Sequence, residues 1–161
     1  MLVVRRLTAE ELPWANERYA EIHFVPSAME DFIVVATLEG VKVGIGRLVA
    51  VDANSAELGG IYVLPPYRGQ QVARALVNFL LGASHYRRLY CVPFAHLDGF
   101  YRGFGFEPVP NDHAIPDSIA RKLQWCQRQY ASTVTLLVRA GDQAVPGAVL
   151  KVRPTPPVKK H

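Results

Sequence analysis

Between Val63 and Leu81 the chain runs VLPPYRGQQVARALVNFLL, passing from a β-branched residue through two prolines into a segment whose apolar residues Val72, Leu76, Phe79 and Leu80 recur at helical spacing. A helix entered in this way leaves its first amides without internal acceptors and carries partial positive charge at that end. An anion, and a pyrophosphate in particular, is stabilised there. Gly69 lets the backbone approach such a ligand, Ala73 keeps the helix surface small beneath it, and Arg68 and Arg74 supply charge-assisted hydrogen bonds. Gly69, Gln70, Gln71, Val72, Ala73 and the two arginines are therefore the candidate anion-binding set. The competing reading is an ordinary strand-to-helix turn with a surface arginine. Two further residues suit proton transfer: His96, of a type tuned near neutral pH, and Asp98 beside it. For each, a helix-capping or surface role is the reading that the residue type favours. Cys91 and Cys126 belong to no CxxC pair and read as core thiols of a reducing cytoplasm, with no base partner for covalent catalysis. No metal-ligating set stands out.

The elements that position these residues follow from pattern and punctuation. Leu2 to Leu7 is a short strand, and Thr8 with Glu11 forms a capping box ahead of a helix running to about Ile22. Asp31–Leu38 and Val41–Val51 are strands joined at Glu39-Gly40, a hairpin-turn pair, and Ala56–Leu64 completes a meander weakened by Gly59-Gly60. The helix after Arg68-Gly69 starts near Gln70. Leu89–Val92 is a short buried strand, His96–Phe104 a short helix, and Pro108–Pro116 a loop. Ser118 caps a helix to about Tyr130, and Val134–Arg139 is a last strand. Strands and helices in this order imply an α/β (mixed α+β) domain whose mixed sheet is covered by helices, not a doubly wound parallel sheet. The domain covers residues 1–140, and 141–161 is a proline-rich basic tail expected to be mobile.

Composition narrows the function classes. In 161 residues, 50% are hydrophobic and 20% charged, enough apolar content for one domain with a real core and too much for a disordered chain. A net charge of +4 suits an anionic ligand or partner. Nucleic acid fits that charge poorly in other respects, because Lys and Arg are scattered and the aromatics lie in apolar runs rather than in a stacking pattern. The N-terminal apolar run is too short for a signal peptide. No window approaches the roughly 18 apolar residues of a membrane span, so a cytoplasmic protein is expected.

The run V-x-P-x-Y-R-G-x-x-V-A at 63–73 resembles the acetyl-CoA signature of the GNAT N-acetyltransferases. Downstream, Phe100–Phe106 (FYRGFGF) is similar to that family's second hallmark, a Tyr followed by a Gly-Phe at a helix end. The resemblance spans Leu2 to Arg139. It implies a twisted mixed sheet of about six to seven strands flanked by about four helices. It also implies acetyl-CoA as co-substrate, without a metal, and transfer of the acetyl group to a primary amine by direct attack in a ternary complex. Two neighbouring parallel strands would splay, and the backbone of Ile61, Tyr62 and Val63 would pair with the pantetheine arm as a further strand would. Gly59-Gly60 would either form a bulge that starts the splay or merely relieve packing. Tyr101 holds the position of the tyrosine that protonates the leaving thiolate, and its alternative role is packing. Glu57, six residues before Val63, holds the position of a glutamate base acting directly or through water; His96, Asp98 and a water chain are the rivals. Two residues depart from the family pattern. Gln71 replaces the central glycine of R/Q-x-x-G-x-G/A, and Phe94 lies near where many relatives carry a cofactor-contacting asparagine.

The acceptor groove implied by the resemblance is formed by Trp14 to Met29, with Trp14, Tyr19, His23 and Phe24, and closed by Asp112 to Trp125. The acidic cluster of a polyamine site is missing. A protein N-terminus, a lysine, an amino acid and an arylamine or antibiotic amine all remain open as acceptors. A homodimer is compatible with the resemblance. The alternative within the same fold is a non-catalytic acyl-CoA sensor that controls a partner.

Overall fold

A computed structural model of the protein describes residues 1–141. The tail expected from 141 to 161 lies outside the described residues apart from Gly141. The chain begins with β1 (Leu2–Arg6), a 3-10 turn at Ala9–Glu11 and α1 (Leu12–Glu21). The Glu11 carboxylate accepts the Thr8 amide at 2.9 Å and both Arg5 terminal nitrogens at 2.9 and 2.8 Å. The Thr8–Glu11 cap therefore closes the 3-10 turn, and α1 follows with Pro13 in its first turn, where the missing amide is not needed.

β2 (Phe32–Leu38) and β3 (Val41–Ala50) form the expected hairpin. Both turn residues, Glu39 at φ 51° and Gly40 at φ 81°, are left-handed, the twist that a two-residue hairpin requires. Then come β4 (Ser55–Val63), α2 (Val72–Ala83), β5 (Arg88–Cys91), α3 (Asp98–Arg102), β6 (Glu107–Pro108), α4 (Asp117–Gln129) and β7 (Leu137–Ala140). The seven strands lie in the order β1-β2-β3-β4-β5-β7-β6. β4 and β5 pair in parallel, and β1–β2, β2–β3, β5–β7 and β6–β7 pair antiparallel. The mixed-sheet expectation holds.

Several boundaries differ from expectation. α2 starts at Val72 rather than near Gln70, because two residues ahead of it have left-handed backbone. The helix expected at His96–Phe104 divides into a 3-10 turn (Ala95–Leu97) and α3. α4 begins with Pro116, not Ser118, in the cap position. Val134 makes only an isolated bridge to Phe94, so β7 is shorter than expected.

The described chain forms two compact units, one of residues 1–49 and 60–83, the other of 50–59 and 84 onward, with β4 contributing to both. In the first, α2 buries Val72, Leu76, Val77 and Leu80. A β-carbon on Gly44 of β3 would stand 3.0 Å from Val72 and 3.1 Å from Leu76, and one on Gly46 2.7 Å from Ile61 and 3.2 Å from Leu80. Two bare backbone positions thus let the helix settle close to the sheet, which holds the start of α2 beside the end of β4. Ala15, Tyr19, Ile33, Ile45 and Tyr62 form a second cluster of this unit. The other unit buries Leu89, Tyr90 and Cys91 of β5 with Tyr101, Phe104, Phe106, Ile119, Cys126 and Leu137.

Candidate functional site

Leu64 leaves β4 with its amide on the Val43 carbonyl at 2.9 Å, and Pro65–Tyr67 makes one 3-10 turn. The backbone then reverses through Gly69 at φ 81° and Gln71 at φ 68°. The Gln71 carbonyl accepts the Ala75 amide at 3.1 Å, which makes Gln71 the residue flanking α2. The amides of Val72 and Ala73 consequently have no acceptor within the helix. Gly69, Gln70 and Gln71 are exposed ahead of the positive end of the helix, while Val72 is buried. A β-carbon on Gly69 would meet nothing within 4 Å. Its glycine thus answers to the backbone angle rather than to crowding. Gln71 occupies the same left-handed region with a side chain, at a cost of about 1–2 kcal/mol. Gln71 Oε1 accepts Arg74 Nε at 3.2 Å, and Arg68 Nε donates to the Val63 carbonyl at 3.1 Å with its guanidinium 5.9 Å from the Tyr62 ring centre. Both candidate arginines are drawn against the turn, one on each side.

The end of β4 has its own irregularity. Gly60 is left-handed (φ 61°) inside the strand, and a β-carbon there would stand 2.5 Å from the Tyr19 hydroxyl. That hydroxyl donates to the Gly60 carbonyl at 2.7 Å. A left-handed glycine within a strand bends and twists it, as in a bulge. Register pairs of β4 with β5 run from Ser55↔Arg88 to Glu57↔Tyr90 and include none of Ile61, Tyr62 or Val63.

In the other unit Glu57 is held by Lys122 of α4, whose Nζ donates to its Oε2 at 2.7 Å. The Glu57 side chain is only 12% exposed, so this bond is shielded from water. Asp98 is engaged twice, by Arg102 Nε at 2.5 Å and by the Thr135 hydroxyl at 3.4 Å. His96 is exposed and stacks on Phe94 at 6.0 Å. Phe94 pairs with Val134 and meets Tyr130 edge-on at 5.3 Å. Tyr101 is buried on α3, edge-on to Phe100 at 5.0 Å and to Phe106 at 6.0 Å. Cys91 and Cys126 are free and buried, and burial first of all pushes both thiols above their usual range. As thiols they are poor nucleophiles. Among the described residues no group of three or more His, Cys, Asp or Glu is arranged to hold a metal ion, and no helix is long and apolar enough to cross a membrane.

Of the residues expected around the acceptor, Tyr19 and Phe24 stack at 6.0 Å within the core, and His23 is left-handed at φ 62°. Sequence reasoning missed Lys122 and Arg47. The available signal was a charge among apolar neighbours: every residue of β3 from Val43 to Leu48 is buried, Arg47 included.

Residues 30–108 match the family model described as an acetyltransferase (GNAT) domain. Among solved structures, the N-acetylglutamate synthase of Neisseria gonorrhoeae, complexed with coenzyme A and N-acetyl-glutamate, superposes with a TM-score of 0.65 at 14% identity over 89% of this chain. This chain spans only 36% of that one. The ribosomal-protein-S18-alanine N-acetyltransferase of Escherichia coli gives 0.65 at 17% identity, covering 93% of this chain and 100% of its own. Rv2747 of Mycobacterium tuberculosis, in complex with CoA and NLQ, gives 0.66 at 18% identity over 86% and 98%. A search of curated protein sequences returned no significant match.

Proposed function

We propose that the chain is a GNAT acetyltransferase that moves an acetyl group from acetyl-CoA to a primary amine, a reading supported by the match of residues 30–108 to that family's domain. One observation carries the reading: left-handed Gly69 and Gln71 bring an exposed turn, flanked by Arg68, to the start of α2, where the Val72 and Ala73 amides have no acceptor within the helix and an anion such as a diphosphate is stabilised. Solved relatives of the same fold hold coenzyme A, which supports the assignment of that anion. In this reading the backbone of Ile61, Tyr62 and Val63 pairs with the pantetheine arm and Phe94 lies along the cofactor. Gly69 and Gln70 let the chain wrap the phosphates. The acceptor is a small-molecule or peptide amine, and the buried free thiols suit a cytoplasmic setting.

The chemistry assigned to the side chains is direct. The amine nitrogen attacks the thioester carbon, the C–S bond breaks, the Tyr101 hydroxyl gives its proton to the departing thiolate, and the amine proton leaves toward Glu57 directly or through water. Asp98 is engaged by Arg102 and Thr135 as Glu57 is by Lys122, so prior engagement does not choose between these two rival bases. The Glu57–Lys122 bond is also the one observation favouring a second reading, an acyl-CoA sensor whose carboxylate is structural.

Calorimetric titration of the full chain with acetyl-CoA tests the reading, followed by a thiol-release screen across amine classes. The enzyme reading expects saturable binding, release of CoA with one class of amine, and an affinity loss of about 1–3 kcal/mol in Arg68→Ala. Binding without release from any amine selects the sensor. Absence of binding removes both.

A further inference from the structure

Arg47 is a buried charge without a carboxylate partner among the described residues: it is 6% exposed, and none of their carboxylate oxygens lies within 4 Å of it. Its NH1 donates to the Ser27 hydroxyl at 2.5 Å, and its guanidinium carbon lies 4.4 Å from the centre of the Tyr19 ring. A guanidinium has five donors and no acceptor, and a neutral hydroxyl with an aromatic face supplies no counter-ion; no Arg47 nitrogen is both sealed from water and without a partner, so its remaining donors stay reachable. Tyr19 supplies no anion, because burial pushes its hydroxyl well above the usual range and the hydroxyl donates to the Gly60 carbonyl. Asp31 acts on this cluster through space, but its Oδ2 accepts the Ala28 amide at 3.0 Å instead of pairing with Arg47.

The surroundings are built rather than incidental. Asn16 grips Ser27 from both sides, its Oδ1 accepting the Ser27 amide at 2.7 Å and its Nδ2 donating to the Ser27 carbonyl at 3.1 Å. That clamp fixes the irregular segment between α1 and β2 over the guanidinium. On the sheet side, a β-carbon on Gly60 would stand 2.9 Å from Arg47 Nε, so the cation abuts β4 one residue before Ile61. The geometry points to Arg47 as the carboxylate-recognition residue of the acceptor subsite, selecting an amine whose molecule also carries a carboxylate. The proposal rests on the acetyltransferase reading for the reaction, but not for the binding. A planar fork matches a carboxylate with two parallel hydrogen bonds, and the low-polarity surroundings strengthen them. The carboxylate would take over the guanidinium edge that now serves the Ser27 hydroxyl. Its source is either the α-carboxylate of a free amino acid or a side-chain carboxylate.

The test uses the full chain, acetyl-CoA and three acceptors: L-leucine (α-carboxylate), L-isoglutamine (side-chain carboxylate) and L-leucinamide (none). Thiol release with one of the first two should exceed that with L-leucinamide by about 10–100-fold in kcat/KM, the range of a charged hydrogen-bond pair. Whichever is favoured identifies the source. Arg47→Met should bring the ratio close to one, and Arg47→Lys, which keeps the buried charge and hence the fold, should retain part of it. Acetyl-CoA calorimetry on each variant reports whether the fold and the cofactor site survive. A parent that treats all three alike, or a folded Arg47→Met that keeps the preference, overturns the proposal and leaves the acetyltransferase reading standing. Should acetyl-CoA not bind, that reading falls separately. Equilibrium dialysis of L-leucine and L-isoglutamine against parent and Arg47→Met then decides: binding lost in the variant upholds the subsite, and equal or absent binding rejects it.

Discussion

Gln71 spends its side chain in a backbone region that glycine occupies freely, at the point where the family pattern has glycine. Relief of about 1–2 kcal/mol of left-handed strain in Gln71→Gly is offset by about 0.4–1 kcal/mol of added unfolded-chain entropy. The variant should gain about 0.5 kcal/mol, read as a higher urea midpoint at constant slope. A clear loss would contradict the left-handed angle. Tyr101 lends itself to the opposite kind of substitution. Its ring is packed edge-on between Phe100 and Phe106, and Tyr101→Phe keeps that packing while removing only the hydroxyl. Turnover should drop by about 100-fold, the low end for a general acid, with acetyl-CoA affinity within a factor of about two. Equal turnover in parent and variant would leave Tyr101 a packing residue.

At the scale of elements, the candidate site exists because two strands tolerate bare backbone where side chains would interfere. Gly44 and Gly46 on β3 admit α2, and Gly60 on β4 admits the Tyr19 hydroxyl from α1. The second case is the more exposed to mutation, since both space and backbone angle demand glycine. Gly60→Ala should destabilise the protein by about 1–3 kcal/mol, from left-handed strain together with displacement of Tyr19. Denaturant titration checks it, and a cost near zero would mean that the Tyr19–Gly60 contact does not hold β4 in its bent form. α4 contributes differently, by a single reach: Lys122 crosses to Glu57 of β4 and leaves the proposed base with one oxygen already bonded.

The whole molecule's acid stability should carry the signature of one carboxylate. Glu11 is lowered from 4.5 to about 2, first by the hydrogen bond from Arg5, then by the Thr8 amide and the Arg5 charge, against the cost of burial. A group depressed in the folded state adds stability that is fully present above about 4.5 and is lost as pH falls toward about 2. Arg5 is 42% exposed, so screening limits the contribution to about 1–2 kcal/mol. Glu11→Gln should lower Tm at pH 6 and flatten its decline between roughly pH 5 and 2; an unchanged slope would remove the Arg5–Glu11 pair from the account. Much of the fold around that pair was legible beforehand. Glu39-Gly40 marks a hairpin, Thr8 with Glu11 a cap, and the spacing from Val72 to Leu80 a helix, because turn chemistry and periodicity act over a few residues. The turn ahead of α2, where the anion cradle is proposed, was legible for the same reason. Its boundary was misread because Gln70 and Gln71 are residue types a helix accepts, and a backbone angle is not written in residue type. Glu57 with Lys122, and Arg47 with Ser27, Tyr19 and Gly60, belong to the tertiary structure alone. Those partners lie between 13 and 65 positions apart in the chain, and which of many charged and polar groups meet across such distances depends on strand register and helix packing, settled by the burial of the chain as a whole.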